Sequence, residues 1–413
     1  MNFDNMEPDY NKDNETDLQK MARQTNKNVF LAVTAGVFIS LGFAAVIFIV
    51  FLNLGFITLN KFNADGTRRD TDGTAKLSEI QSKMSDFYFS DKVDQQALMD
   101  GMYKGYVAAY GDPYTSYYTA DEYSKLISSY EGKIGGIGVR VSYTKGEGLN
   151  VSGTEDGSPA AAAGIRQGDV ITAIDGNDIT NLDNNPVNGL RGEVGSEVSI
   201  TYNRDGASNT VKLKRVELQS KSSAGTMLEG TTIGYVALNH FEEPTPEQFN
   251  NAVSDLESKG MTGLIIDLRN NTGGLVASAV KVLDRLLPAG VYGTQVFKNG
   301  STVELSGTGD DSVNVPIVLL VNGDTASSAE IMTAAMKDLG KAKVVGTKTF
   351  GKGITQKIEQ LSDGSGLTYT DAELRSPNGT TWHGTGITPD VVVEYDENAG
   401  TDTQLKAAMD LLK

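Results

Sequence analysis

The chain of 413 residues contains no cysteine. Thiol nucleophiles, disulfides and zinc–thiolate sites are thereby excluded, and the redox compartment leaves no signature. Histidine is nearly absent too. His240 and His383 are the only two, so an imidazole base or a multi-histidine metal site would have to use one or both. Positive charge is also scarce. Lys and Arg number 36 against 53 Asp and Glu, a formal net charge of −17. That argues against nucleic acid as a partner, because phosphate binding needs clustered cations to displace counterions. Internal repeats and low-complexity tracts are lacking. What remains is ordinary for a folded protein, 39% hydrophobic and 22% charged, in a chain long enough for two or three domains.

One stretch of 24 residues, Val29 to Leu52, lacks charge altogether. As a helix it would span about 36 Å, against about 30 Å for a bilayer core. The alternative is a cleaved signal peptide, whose apolar region is about 7–15 residues; this run is longer, and no small-x-small cleavage site follows it. The expectation is a transmembrane anchor over 29–52, behind a polar, disordered tail (1–28) and ahead of a linker (53–76). Flanking charge does not orient the anchor. Lys20, Arg23 and Lys27 lie on one side, and Lys61, Arg68 and Arg69 on the other.

Leu77, Ile80, Met84 and Phe87 then recur at helical spacing, and a second helical pattern over roughly 94–109 leads into the turn Gly111-Asp112-Pro113-Tyr114. Together they form an N-terminal helical segment, 77–130. Residues 131–217 read as a small mixed α+β domain. A glycine-rich loop, G-K-I-G-G-I-G-V, runs into an alternating strand. The run S-P-A-A-A-A-G-I-R-Q-G-D-V-I-T-A-I-D-G-N-D-I reads as short helix, turn, strand and turn, with Val170, Ile171 and Ile174 as core. Strands over 197–203 and 210–216 close the unit around Arg204–Asp205–Gly206. The combination resembles the PDZ domains of extracytoplasmic bacterial proteases. Such domains hold a peptide's terminal carboxylate on the N–H groups after the glycine loop, here Ile137, Gly138 and Val139, while the peptide pairs with the next strand. Arg191, in the turn L-R-G-E-V-G, is a candidate contact to the bound tail, against the alternative of a solvated surface charge.

Residues 218–413 alternate strand and helix patterns, which argues for an α/β layer. Strands are expected at 233–238, 263–268 and 315–321, and helices at 275–287, 330–339 and 403–413. Thr245-Pro246-Glu247-Gln248 has the form of a capping box. Two strand-to-helix junctions stand out: D-L-R-N-N-T-G-G (267–274) and V-N-G-D-T-A-S-S-A-E-I (321–331). Helix N-termini offer unpaired N–H groups to an oxyanion, and Gly273 and Gly274 would let a substrate carbonyl approach closely. A third segment, T-F-G-K-G-I-T-Q (349–356), sets Lys352 between two glycines. Lysine can serve as a base only when neutral, as about one molecule in 2,500 is at pH 7; burial would raise that fraction.

In this order and spacing, the three segments resemble the carboxyl-terminal processing peptidases, a family of Ser–Lys serine proteases. L-S-D-G-S-G-L (361–367) and H-G-T-G-I-T-P-D (383–390) match as well, and the similarity spans residues 77–413. It implies a crotonase- or Clp-protease-like α/β core with an inserted PDZ domain, and a serine endopeptidase acting near the C-termini of extracytoplasmic proteins, without metal or cofactor. It implies Ser327 as nucleophile, Lys352 as base, Gln356 as the residue orienting the lysine, and Gly273 with the Ser328 N–H as oxyanion hole. Expected partners are substrates with free C-termini and the membrane, with a homodimer left open. Two departures stand. Thr272 replaces a frequent Pro, and T-A-S-S-A-E replaces T-A-S-A-S-E, so Ser328 is a rival nucleophile that the lysine spacing disfavours. Both histidines read as bystanders. The alternative from another class is a catalytically silent PDZ scaffold.

Overall fold

The computed structural model describes residues 73–90, 92–396 and 399–413. The expected tail and anchor lie outside them, as does most of the linker. Among the described residues no helix is long and apolar enough to cross a membrane. The chain divides between Asp94 and Gln95 into two compact units. In the first, helix α1 (Thr74–Phe87) follows the apolar spacing read above, and its Ile80, Met84 and Phe87 are exposed.

The second unit opens with α2 (Gln95–Ala108), strand β1 (Ser116–Tyr118) and α3 (Ala120–Tyr130). The segment expected to be helical thus also contains a strand. α3 begins on a reciprocal capping box between Thr119 and Glu122.

A separate small domain follows. Its elements are β2 (Lys133–Gly136), β3 (Val139–Thr144), β4 (Gly148–Thr154), α4 (Pro159–Ala162), β5 (Val170–Ile174) and β6 (Asn177–Asp178). A 3₁₀ turn (Pro186–Leu190), β7 (Glu197–Arg204), β8 (Ala207–Lys214) and β9 (Val216–Gln219) complete it. The order β3-β4-β5-β7-β8 leaves β3 at an edge. Ile171 and Ile174 join its core with Ile137, Leu149 and Ile200, while Val170 is only partly buried. The β7–β8 turn is tighter than expected. Asp205 and Gly206 both have positive φ, 50° and 81°, the two-residue hairpin that Asp-Gly favours. β2 and β9 pair antiparallel, so the chain enters and leaves this domain on adjacent strands.

The remainder comprises β10 (Ser223–Met227), β11 (Ile233–Leu238), α5 (Thr245–Ser258), β12 (Gly263–Asp267), α6 (Val276–Asp284), β13 (Gly290–Phe297) and β14 (Thr302–Gly307). After these come β15 (Ile317–Val321), α7 (Ser328–Asp338), β16 (Ala342–Gly346), β17 (Ile354–Gln360), β18 (Gly366–Arg375), β19 (Val391–Val392) and α8 (Thr403–Asp410). The central sheet runs β10-β11-β12-β15-β16-β19 and is parallel from β11 onward. Its apolar strands are buried on both faces, as parallel strands between helices must be. Leu264, Ile266, Leu319 and Val321 pack with Phe249, Val282 and Met332 of α5, α6 and α7. Ile265, Val318 and Leu320 turn to the other face, with Ala408 of α8. The capping box expected at Thr245 does not form. Thr245 Oγ1 instead accepts from the Glu242 N–H, and Gln248 Oε1 accepts from the Ser222 and Ser223 N–H groups; both side chains are committed to the segments around the helix start.

A second sheet, antiparallel, has the order β1-β18-β13-β14 with β17 also on β18. It brings the pre-PDZ segment, through β1, beside strands that follow it by some 250 positions.

Candidate active site

Because β12 and β15 are parallel neighbours, their carboxyl ends place both strand-to-helix junctions at one edge, where α/β sheets bind ligands. The junctions are stitched together. The Ala326 N–H donates to Asn271 O at 2.9 Å, and Thr325 Oγ1 donates to Leu268 O at 2.8 Å. Ser327 ends the second loop with φ 55° and ψ −119°, a left-handed conformation that a non-glycine residue adopts only when its surroundings impose it. It is the N-cap of α7, and its N–H donates to Glu330 Oε2 at 3.0 Å as one half of a capping box. Ser327 lines a cavity of about 410 Å³, shared with Gly274, Lys352 and Gln356. Ser328 is different. It is fully buried, and its hydroxyl donates to Gly274 O at 2.7 Å.

The glycine turn packs directly on the serine loop. A Cβ on Gly273 (φ 101°) would lie 2.8 Å from Ala326 O and Ser327 Cβ, and one on Gly274 (φ 134°) 2.2 Å from Phe241 O. The two expected oxyanion donors are not equivalent. The Gly273 N–H donates to Asn271 Oδ1 at 2.8 Å. The N–H groups of Ser328 and Gly274 have no acceptor among the described residues. His240 supports this turn from behind, with Nδ1 against Gly273 O.

Lys352 reaches the cavity from a loop pressed against 383–386. A Cβ on Gly351 would come within 2.8 Å of the Gly386 nitrogen, and one on Gly353 within 2.8 Å of the His383 nitrogen. The flanking glycines are thus required by packing. His383 itself is exposed. Burial pushes the Lys352 amine below the ordinary lysine range, opposed by the charges of Asp112 and Glu330. The Lys352 Nζ lies 4.4 Å from the centre of the Tyr114 ring. No hydrogen bond joins it to Ser327 or Gln356 among the described residues, and Gln356 Nε2 donates to Thr370 Oγ1 at 3.5 Å.

Three contributors were not singled out from sequence. Glu330 is fully buried and clamps the serine loop to the lysine loop. Its Oε1 accepts from Thr349 Oγ1 at 2.6 Å and the Gly351 N–H at 2.8 Å, and its Oε2 from the N–H groups of Ser327 at 3.0 Å and Lys352 at 2.8 Å. Burial pushes its carboxyl up, and these hydrogen bonds pull it back. The S-x-x-E spacing after Ser327 was the available signal. Asp112 and Tyr114, in the turn before β1, had only their turn chemistry to announce them.

In the small domain, Ile137 is buried and Gly138 has φ 75°. The Gly138 carbonyl accepts from the Glu155 N–H at 2.9 Å and Ser158 Oγ at 3.2 Å, fixing the loop ahead of Val139 and the open edge of β3. Arg191 is exposed and its side chain has no partner among the described residues. Its neighbour Gly192 donates to Gly135 O at 3.1 Å, beside the loop. A larger cavity of about 710 Å³ lies elsewhere along the parallel sheet. It holds no serine or lysine, and three of its charged groups, Asp267, Arg269 and Asp402, are bound to one another. No acid or histidine cluster suited to a metal ion occurs among the described residues.

Residues 232–393 match the model of peptidase family S41, and residues 135–214 that of the PDZ domain. The probable CtpA-like serine protease of Staphylococcus aureus (strain COL) is 31% identical over 389 residues, covering 93% of this chain and 76% of that protein. The carboxy-terminal processing protease CtpA of Bacillus subtilis (strain 168) is 32% identical over 379 residues, covering 87% and 80%. Among solved structures, an S41 protease of Bacteroides fragilis aligns with a TM-score of 0.50 at 18% identity, over 81% of this chain and 96% of that one. The photosystem II D1 C-terminal processing protease aligns at 0.48 with 28% identity, over 83% and 92%.

Proposed function

This chain belongs to peptidase family S41 and is a serine peptidase of the carboxy-terminal processing family, and on that premise we propose that it cleaves peptide bonds through Ser327 and Lys352. The observation that carries the assignment is the backbone of Ser327. A strained serine lines a cavity that also receives a half-buried lysine, while the adjacent serine is buried and bonded.

In this mechanism Ser327 Oγ attacks the scissile carbonyl, and the neutral Lys352 amine takes the hydroxyl proton. The tetrahedral oxyanion is met by the Ser328 N–H and by the glycine turn. There either Gly274 donates directly or Gly273 exchanges Asn271 for the substrate. Collapse expels the amine leaving group, which takes the proton back from Lys352, and water then hydrolyses the acyl-enzyme on Ser327. Lys352 must leave the Tyr114 ring to reach Ser327 Oγ, and Gln356 is the side chain suited to receive it.

The substrates of this reading are extracytoplasmic proteins or peptides cut near their C-termini. It draws on the relative named as a carboxy-terminal processing protease, and on the open β3 edge beside Ile137, Gly138 and Val139. The uncharged run 29–52 would anchor the enzyme in the membrane with the catalytic part outside. Incubating the enzyme with an unfolded protein tests the core of this reading. Ser327→Ala should abolish cleavage and Ser328→Ala should retain much of it; the reverse pattern would refute the assignment.

A further inference from the structure

The cavity wall opposite Ser327 is built by a segment that precedes the PDZ domain. Pro113, Tyr114, Ser116 and Tyr118 line it, and the turn that presents them is held by Asp112. Asp112 Oδ1 accepts from the Tyr114 N–H at 3.0 Å, and Oδ2 accepts from Thr115 Oγ1 and Thr370 Oγ1, each at 2.6 Å. Those bonds satisfy the carboxylate without supplying a cation. Lys352, whose amine lies over the Tyr114 ring, is the cation that acts on Asp112 through space, without an ion-pair contact among the described residues.

Thr370 gives the arrangement a second arm. Its hydroxyl donates to Asp112, so its lone pairs are left to accept, and Gln356 Nε2 donates to it at 3.5 Å. Gln356 lies opposite Thr370 across β17 and β18, just after a bulge between Thr355 and Gln356, and a bulge re-aims the side chain that follows. With its amide N–H₂ turned to Thr370, the carboxamide presents its oxygen to the cavity. An amine donor requires that orientation.

We infer that Asp112 is a positioning residue for the peptidase reaction: its carboxylate is the anion set in the turn of Tyr114, over whose ring Lys352 is held, and through Thr370 it aims the Gln356 oxygen at the lysine. The inference rests on the Ser–Lys reading above. The groups facing Lys352 are Asp112 and Tyr114 from the turn before β1, Gln356 from β17 and the Glu330 carboxylate from α7. Burial pushes the Asp112 carboxyl up, but its hydrogen bonds and Lys352 outweigh this and leave it below the usual range. It is therefore an anion wherever the lysine titrates. The Asp112 charge opposes the effect of burial on Lys352, and activity rises with pH as the amine becomes neutral.

The experiment measures the pH profile of kcat/KM, and of Ser327 labelling by a fluorophosphonate, in the full chain and in Asp112→Asn, Thr370→Val and Lys352→Arg. Asp112→Asn removes the anion and should move the acid limb to lower pH by about one unit. Thr370→Val keeps the anion and breaks the link to Gln356. It should lower kcat about tenfold with KM and the limb unchanged. It also leaves the Asp112–Tyr114 turn intact, so it serves if Asp112→Asn does not fold. An Asp112→Asn protein with an unmoved limb, or a fully active Thr370→Val, would overturn the inference. Failure of the Ser–Lys reading looks different: parent labelling at Ser327 would be independent of pH, or Lys352→Arg would be labelled as fast as the parent.

Discussion

Ser327 and Ser328 are adjacent and chemically identical, and the fold separates them through the backbone. The positive φ of Ser327 turns its hydroxyl into the cavity, while the first turn of α7 buries Ser328 against Gly274 O. Ser328→Ala should therefore be felt in stability more than in turnover. It removes the hydrogen bond to the Gly274 carbonyl, a loss of about 1 kcal/mol by denaturant unfolding, and keeps the N–H that the proposed oxyanion needs. Lys352 makes the opposite case. Its charge is what must be removed, so Lys352→Arg should be as inactive as Lys352→Ala, because a guanidinium stays protonated. In the parent, activity should rise with pH through an amine held below the ordinary lysine range. A pH-independent rate would contradict this. Sequence motifs drew attention to Ser327, Lys352 and Gln356, the residues of the proposed mechanism, because they lie within short contiguous runs. Asp112 escaped notice because its informative partner, Thr370, is 258 positions away.

At the scale of elements, the site is two loops joined by one side chain. Glu330 receives N–H groups from both the serine and lysine loops, so Glu330→Gln should loosen them together. A carboxamide offers one acceptor oxygen where the carboxylate offers two, so buried donors lose their partner. A loss of about 2–4 kcal/mol is expected, with a drop in turnover that adding neutral osmolyte does not restore; unaltered unfolding and activity would show that the clamp is dispensable. Gly274→Ala acts on the other junction. The added Cβ would meet Phe241 O and move an oxyanion donor, so kcat should fall about 10²-fold or more; wild-type turnover would remove this turn from the oxyanion hole. The parallel strands β11, β12 and β15 were legible as short apolar runs because both faces are buried. The antiparallel sheet was not. β17 (I-T-Q-K-I-E-Q) is half exposed and polar, and β1 is three residues long and pairs far along the chain. The capping box at Thr245 misled for a related reason, since Thr245 and Gln248 found better partners in Glu242, Ser222 and Ser223 than their own helix start.

For the whole molecule, chain order has a mechanical consequence. The small domain interrupts the peptidase between α3 and β10 and is carried on the paired strands β2 and β9. One further tie is the Lys221–Glu155 ion pair, 3.4 Å long and largely exposed, of a kind that contributes little. Such an attachment permits the domain to shift when a tail binds at β3, and a ligand moves that equilibrium only by its differential affinity. A non-cleavable peptide with a free apolar C-terminus should therefore speed cleavage of a short reporter that cannot reach the domain, and its amidated form should not. No change, or competition, would reduce the domain to a tether. The insertion was legible from the G-I-G-V and S-P-A-A-A-A-G-I runs. The contribution of the preceding segment to the active site was not, because it depends on β1 joining β18 across the whole length of that insertion.

The central claim, that Ser327 is the nucleophile and Lys352 its base, is tested most directly by mapping a covalent serine reagent by mass spectrometry across a pH series. The account predicts a single modified residue, Ser327, with a labelling rate that climbs with pH in the parent and is lost in Lys352→Arg. Modification of Ser328, or equal labelling of the Lys352→Arg protein, would contradict it.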